Sequence, residues 1–472
     1  MRYPTDAAAR SLSVLVVFTL FAGDFWRDLI SWWGYLALVG ALTVLLAVVM
    51  TRRKLWSRLP LRRMPRTLVL FGVLAVVSLA WSFYPGATVL GLVAQAATTL
   101  AALFICVSLS WPQLLAALST AFAWILGLSL VFELVIAVFV RQPVLPFFTD
   151  YGDTVVPKAF YWSQGLLFQG GPIQGIVGNR NILAFVAVLA LIVFGVQLAQ
   201  KLRRPRPTIA WIAIAVIVLA LTRSATAIGA LVVTALMLGV LLLARRAGHG
   251  RRVWVLAGVV VVSAGAIVAV STFWQQVLGL FGKSEDLTGR VDIWNAVAGL
   301  AAQRPAFGWG WVSYWAPWVE PFNDLAVRRG VVYLQAHDAW LDVWFQLGFV
   351  GLALFVFLVV ATWYRAWWFA VDRPLDSLGL PISRVPLTLA PALLLTAMIA
   401  QSFVESRMLV EGGWLLLVVF AVKTKLDQSL VAIDLGNDPE AVNPRPSRAA
   451  LALEAHRPAV APRLARKASA RR

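Results

Sequence analysis

The run Asn181 to Gln200, NILAFVAVLALIVFGVQLAQ, leads at once into Lys201-Leu202-Arg203-Arg204-Pro205-Arg206. These twenty residues carry no charge. As a helix they are long enough to cross the ~30 Å of bilayer hydrocarbon. The cationic loop that follows marks the side on which it stays, because short loops rich in Arg and Lys are retained in the cytoplasm. One apolar crossing with one basic, inward-facing end is the unit from which the rest of the chain is read.

That unit recurs from end to end. The chain has 472 residues, 60% hydrophobic and 13% charged, with a mean hydropathy of +0.80. This excludes a soluble domain and predicts an all-α polytopic membrane protein. A membrane β-barrel would show short alternating segments instead. The net charge of +19 sits in short loops and in the tail, where it sets orientation and meets anionic lipid. No nucleic-acid partner is expected. Cys106 is the only cysteine, so neither an intrachain disulfide nor a cysteine metal cluster can form.

About twelve spans are expected, at about 11–28, 31–50, 67–83, 88–110, 114–140, 181–200, 208–221, 226–244, 253–272, 339–364, 387–404 and 413–424. The basic clusters Thr51-Arg52-Arg53-Lys54 through Arg66, the 201–206 loop, Arg245 with Arg246, Arg251 and Arg252, and Arg365 with Arg373 and Arg384 then fall on one side. Both termini share that side. Residues 1–424 form the membrane domain and 425–472 a basic, disordered cytoplasmic tail. The longest polar interruption, from about Ser271 to His337, becomes an ordered external loop (273–338) between spans nine and ten. It holds a helix that ends at Pro305 and aromatics around Gly308 and Gly310.

With positive charge kept inside, cations on the outer side become informative. Arg180, Arg223 and Arg290 lie at the mouths of spans. Arg near hydrocarbon is costly unless it is paired or wet. It either snorkels to headgroups or lines a pocket, and its planar fork suits the paired oxygens of a diphosphate. His337 is the one outer histidine. At the first turn of a helix the dipole favours neutral imidazole, the form that takes a proton from a hydroxyl. The outer carboxylates Asp150, Asp153, Asp286, Asp292, Asp338, Asp342 and Glu405 have no second histidine beside them, and no metal site is expected. Trp309, Trp311 and Trp315 read as interface anchors or as platforms for sugar rings. Glu133 is the one charge toward a mid-span position.

Four motifs then appear in order: Gly178-Asn179-Arg180-Asn181, Thr222-Arg223-Ser224-Ala225, Gly289-Arg290 with Trp294 and Gly308-Trp309-Gly310, and Ala336-His337-Asp338 with Gly348 and Gly351. Together, over about 178–352, they resemble the O-antigen ligase and polymerase superfamily of bacterial polysaccharide assembly. The resemblance implies a GT-C-like membrane glycosyltransferase of the bacterial inner membrane, inverting and metal-independent, with no cofactor. It implies a donor glycan on undecaprenyl diphosphate and an acceptor hydroxyl on a lipid or polysaccharide. By position, Arg223, Arg290 and Arg180 would hold the donor diphosphate. His337 would act as base, supported by Asp338, Asn181 and Ser224. Asp338 departs from the asparagine usual in the family's Ala-His-Asn box. A polymerase that joins repeat units is the alternative within the superfamily. A lipid-linked glycan transporter is the alternative outside it, disfavoured because charges inside the spans are lacking.

Overall fold

The computed structural model describes residues 7–148, 156–247, 249–255, 257–258, 285–328, 331–372 and 385–427. Span nine beyond 258, Asp150, Asp153, Arg373, Arg384, the tail beyond 427 and the side chain of Asp286 lie outside the described residues. The helices are α1 (Ala7–Phe21), α2 (Gly23–Arg52), α3 (Arg66–Val77), α4 (Pro85–Ser108), α5 (Trp111–Val135), α6 (Arg180–Ala199), α7 (Pro205–Thr222), α8 (Ala225–Arg246), α9 (Glu285–Gln303), α10 (Ala339–Val371), α11 (Ala390–Ser402) and α12 (Glu411–Asp427). Among the described residues seven helices are long and apolar enough to cross a membrane, and three shorter apolar helices accompany them. The fold is an all-α polytopic membrane bundle. A two-residue antiparallel ladder, Val327–Arg328 with Val331–Val332, lies in the loop between α9 and α10.

The basic loops gather at one end of the bundle, as their charge predicts. Arg58 donates to the Val107 carbonyl (3.2 Å), buried Lys423 to that of Leu109 (2.8 Å) and Arg245 to that of Ala370 (2.6 Å). Each cation thus satisfies carbonyls that a helix end leaves unpaired. Asp24, Asn181, Ser224, Arg290, His337 and Glu405 belong to the opposite end.

Two predicted boundaries move. The first span ends at Phe21 rather than 28, because Ala22 is non-helical (φ −120°, ψ 43°). Residues 23–30 then form a short amphipathic piece, cut from the remainder of α2 at Ser31 (φ 68°, ψ 171°). The span proper begins at 32, close to the position expected.

The larger departure is in α10, which breaks at Gly348 (φ 65°, ψ −168°). In a straight helix Trp340 and Phe355 would sit ~22 Å apart along the axis, yet their rings are 5.1 Å apart. The 339–347 piece therefore folds back beside the 349–371 piece, and its N-terminus lies about 9 Å along that partner from the break. Only glycine holds this φ/ψ comfortably, and a Cβ at Gly348 would fall on the Ala306 carbonyl. Gly348→Ala is expected to cost about 3 kcal/mol from strain and overpacking together, read as a lower thermal midpoint in detergent. An unchanged midpoint would contradict the fold-back.

The segment between α9 and α10 also dips between the helices. The backbone N–H groups of Val312 and Ser313 donate to Gln346 Oε1 (2.9 and 3.0 Å), and that of Trp311 donates to Ser78 Oγ (3.0 Å). Val312 packs on Gly91, two turns into α4, where a Cβ would collide with it. Non-helical backbone at membrane depth is tolerated only where protein groups satisfy it, and Ser78 and Gln346 do so here. This overturns the two expectations for Trp311 and Trp315, which are 0% and 1% exposed and neither anchor an interface nor meet a sugar. Trp315 donates to Asp342 (2.9 Å) and stacks on Phe322. Trp309 is half-buried, and its indole donates to the Leu300 carbonyl (2.8 Å). Glu133 is buried and accepts from the backbone of Gln174 and Gly175 (2.9 and 2.8 Å) and from Ser163 Oγ (2.8 Å). It tethers the loop before α6 and is satisfied within the protein.

Candidate active site

Each motif residue is delivered by a helix end. Gly178 is left-handed (φ 61°), which lets Asn179 turn and cap α6, accepting from the backbone of Asn181 (2.8 Å) and Ile182 (3.3 Å). This frees the Asn181 side chain to point away from its own helix. Arg223 ends α7 in the left-handed region (φ 50°). Ser224 caps α8 through the Ala227 N–H (3.4 Å) and donates to Asn181 Oδ1 (2.9 Å). Arg290 comes from α9. His337, also left-handed (φ 54°), stands just before α10.

These groups converge on Glu405, in the turn between α11 and α12. Its Oε1 accepts from Arg290 Nη2 (3.1 Å) and Asn181 Nδ2 (3.3 Å). Its Oε2 accepts from His337 Nδ1 (3.0 Å) and Gln335 Nε2 (3.1 Å). Four donors on two oxygens fill an ionised carboxylate and leave no place for its proton. Glu405 is only 5% exposed. Burial alone would push its carboxyl up, but the charge and hydrogen bond of His337, with Arg290 and Arg407, outweigh this and hold it below the usual range.

The ionised carboxylate assigns the histidine tautomer. Nδ1 must carry a proton to meet Glu405 whether the ring is charged or neutral, so the neutral form holds its lone pair on Nε2. The Gln335 orientation agrees, because its Oε1 accepts from the Ser406 N–H (3.3 Å) and its amide nitrogen faces Glu405. The His337 ring also meets Tyr333 edge-on at 5.4 Å. The adjoining backbone is held twice: the Ala336 carbonyl accepts from Trp294 Nε1 (3.0 Å), and its N–H donates to buried Asp342 (3.1 Å), which also accepts from Ser406 Oγ.

Asp338 takes a different place from the one expected. Its carboxylate caps α10, accepting from the backbone of Trp340 (2.8 Å) and Leu341 (3.0 Å). Aspartate and asparagine serve equally as N-caps, which accounts for the departure from Ala-His-Asn. Burial raises the Asp338 carboxyl, partly offset by those two N–H groups. The group on His337 Nδ1 is Glu405.

Arg290, His337, Asn181 and Ser224 thus form one hydrogen-bonded set. Arg223 is exposed, and its guanidinium faces the Gly170 backbone rather than Glu405. It joins the set only through its neighbour Ser224. Arg180 opens α6, half-buried, and is not among the four donors to Glu405. The sequence gives Glu405 only as one of several outer carboxylates and gives Gln335 no role.

Beside this set a groove of about 730 Å³ runs between α8, α10 and α11, lined by Thr226, Val233, Trp340, Trp363, Phe403 and Val404. Its wall is apolar, and Val404 places one end next to Glu405.

One end of this helical bundle thus holds a buried carboxylate, Glu405, paired with half-buried His337 and half-buried Arg290. Residues 208–356, from α7 past the break in α10, match the family model described as O-antigen ligase, and the match supports membership of the O-antigen ligase superfamily. That family supports a general transferase role in a multi-pass membrane protein. The matched stretch contains Arg223, Ser224, Arg290, His337 and Asp338. Asn181 and Glu405 lie outside it. No curated protein matches the chain significantly.

Proposed function

We propose that the protein is an inverting, metal-independent glycosyltransferase. It moves a glycan from undecaprenyl diphosphate to an acceptor hydroxyl on the outer face of the bacterial inner membrane. The observation that carries the reading is the convergence of His337 and Arg290 on one ionised carboxylate at the end opposite the basic loops. In this reading the bundle is GT-C-like with about twelve spans, residues 1–424 form the catalytic domain, and both termini are cytoplasmic.

His337 Nε2 takes the proton of the acceptor hydroxyl as its oxygen attacks the anomeric carbon. The bond from that carbon to the diphosphate oxygen breaks, and the diphosphate leaves with the electron pair. Glu405 stabilises the imidazolium that forms. Arg290, held by Glu405 through one nitrogen, offers its other N–H groups to the leaving group, whose charge grows in the transition state. Arg223, exposed one residue from the hydrogen-bonded set, is the second cation for the diphosphate, and Arg180 is the third. The apolar groove suits a polyprenyl tail and supports a lipid-linked donor over a free nucleotide sugar.

Arg290→Ala and Arg223→Ala are each expected to weaken donor use about tenfold, the value of one charge-assisted phosphate contact. Transfer measured against donor concentration in proteoliposomes reads this, and unchanged donor dependence in both variants would remove the clamp. A product lengthened while still on the carrier identifies a polymerase. Glycan lost to another acceptor identifies a ligase.

A further inference from the structure

The turn that carries Glu405 is braced from the other end of the chain. Two residues on, Arg407 donates to Glu411 (2.8 Å) and lies 4.0 Å from Asp24. Arg27, in the short piece before the break in α2, donates to Asp24 (2.6 Å) and to Glu411. The Arg27 guanidinium also lies over the rings of Trp32 and Tyr35, at 4.8 and 4.9 Å. Its side chain is 10% exposed. Gly23 and Gly413 let the segments close up, since a Cβ at Gly23 would meet Arg27 and one at Gly413 the Arg407 carbonyl. Two cations and two anions thus form a closed, partly buried ring. Its nearest cation to the site, Arg407, already counts among the charges that hold Glu405 ionised.

Building on the function proposed above, we propose that Arg27 is a positioning residue. Through Glu411 and Arg407, the ring it completes sets the charge balance of the Glu405–His337 pair. A site assembled on α6 to α11 is thereby tuned by the start of α2, which lies outside the matched family stretch. Partly buried charges are little screened, so neutralising one member is felt at the imidazole. The other charged or titratable groups around the pair and the ring are Arg290 on α9, Tyr333 and Asp338 on the loop, Asp342 on α10, reached through Ser406, and Asp28, Tyr35 and Tyr314 beside the ring. None is altered by the substitutions below.

The chain has three histidines, so NMR of the full-length protein, isotope-labelled at histidine and held in nanodiscs, can follow His337 without any substrate. His337→Ala assigns its signal. Arg27→Gln removes a cation and is expected to raise the His337 titration midpoint by about half a pH unit. Asp24→Asn removes an anion and is expected to lower it by a similar amount. Opposite shifts establish the coupling. Equal midpoints in all three proteins, or shifts in one direction, overturn it and leave the ring a structural clasp. Should Arg27→Gln fail to fold, the more exposed Asp24→Asn decides alone: a downward shift supports the brace and no shift overturns it. Glycan transfer by the wild type and by His337→Ala, measured separately, tests the enzymatic reading, so either claim can fail without the other.

Discussion

His337→Ala is expected to reduce glycan transfer by ~10³-fold, within the range general-base catalysis contributes, while the protein still inserts and folds. The side chain is half-buried, makes one strong contact with Glu405 and lies edge-on to Tyr333. Its removal opens little core. Its backbone is held independently through Ala336, by Trp294 and Asp342. The loss should therefore fall on the rate rather than on folding. Alanine supplies no group that can take the acceptor proton, and Glu405, buried and still paired with Arg290, Asn181 and Gln335, is a much weaker base than imidazole. The check is transfer from a lipid-linked donor by membranes with equal amounts of each protein. Wild-type rates in the variant would falsify the base assignment and the reading built on it.

Glu405→Gln should be nearly as severe, at ~10²-fold or more. A carboxylate that orients a base histidine and stabilises its imidazolium is worth at least this much by itself, and here the partner also carries an arginine. Glutamine has one acceptor oxygen in place of two and adds an NH₂ group. In either orientation that NH₂ faces the donors on one side of the pair: Arg290 and Asn181, or His337 and Gln335. Arg290 loses its counter-charge, and His337 loses the anion that favours its imidazolium. The pH behaviour separates this from simple unfolding. The Glu405 carboxyl is depressed in the folded protein. Its contribution to stability is therefore complete above the ordinary carboxylate range and is lost as pH falls through the depressed value. The glutamine variant should lack that acid-linked loss while being less stable near neutrality. Equal acid sensitivity in the two proteins, measured by unfolding midpoints in detergent, would show that Glu405 is not held as an anion.

Much of this was legible in the chain. Crossings announce themselves by length, and the loops at one end of the bundle by their arginines, because a bilayer punishes uncovered polarity wherever it falls. His337 and Arg290 could be singled out because each lies on the side where cations are scarce. Glu405 could not. In Phe403-Val404-Glu405-Ser406 nothing distinguishes it from Glu411 six residues later, and only folding shows that one gathers four donors while the other completes an ion ring. The tryptophans were misplaced for a related reason. An indole reads the same in a headgroup belt and in a core, and the decision rests on Gln346 and Ser78, which let the loop sink between the helices. The break in α10 was equally hidden, because Gly348 sits within an apolar run whose hydropathy continues on both sides of it.

That break bears on how an activated donor survives. Because the 339–347 piece turns downward, its leading end carries His337 below the rim of the helices around it. On the function proposed above, an incoming hydroxyl would have to descend to the ring through the opening that this rim surrounds. A seated acceptor would cork that opening, so spontaneous hydrolysis should be slowest when both substrates are present.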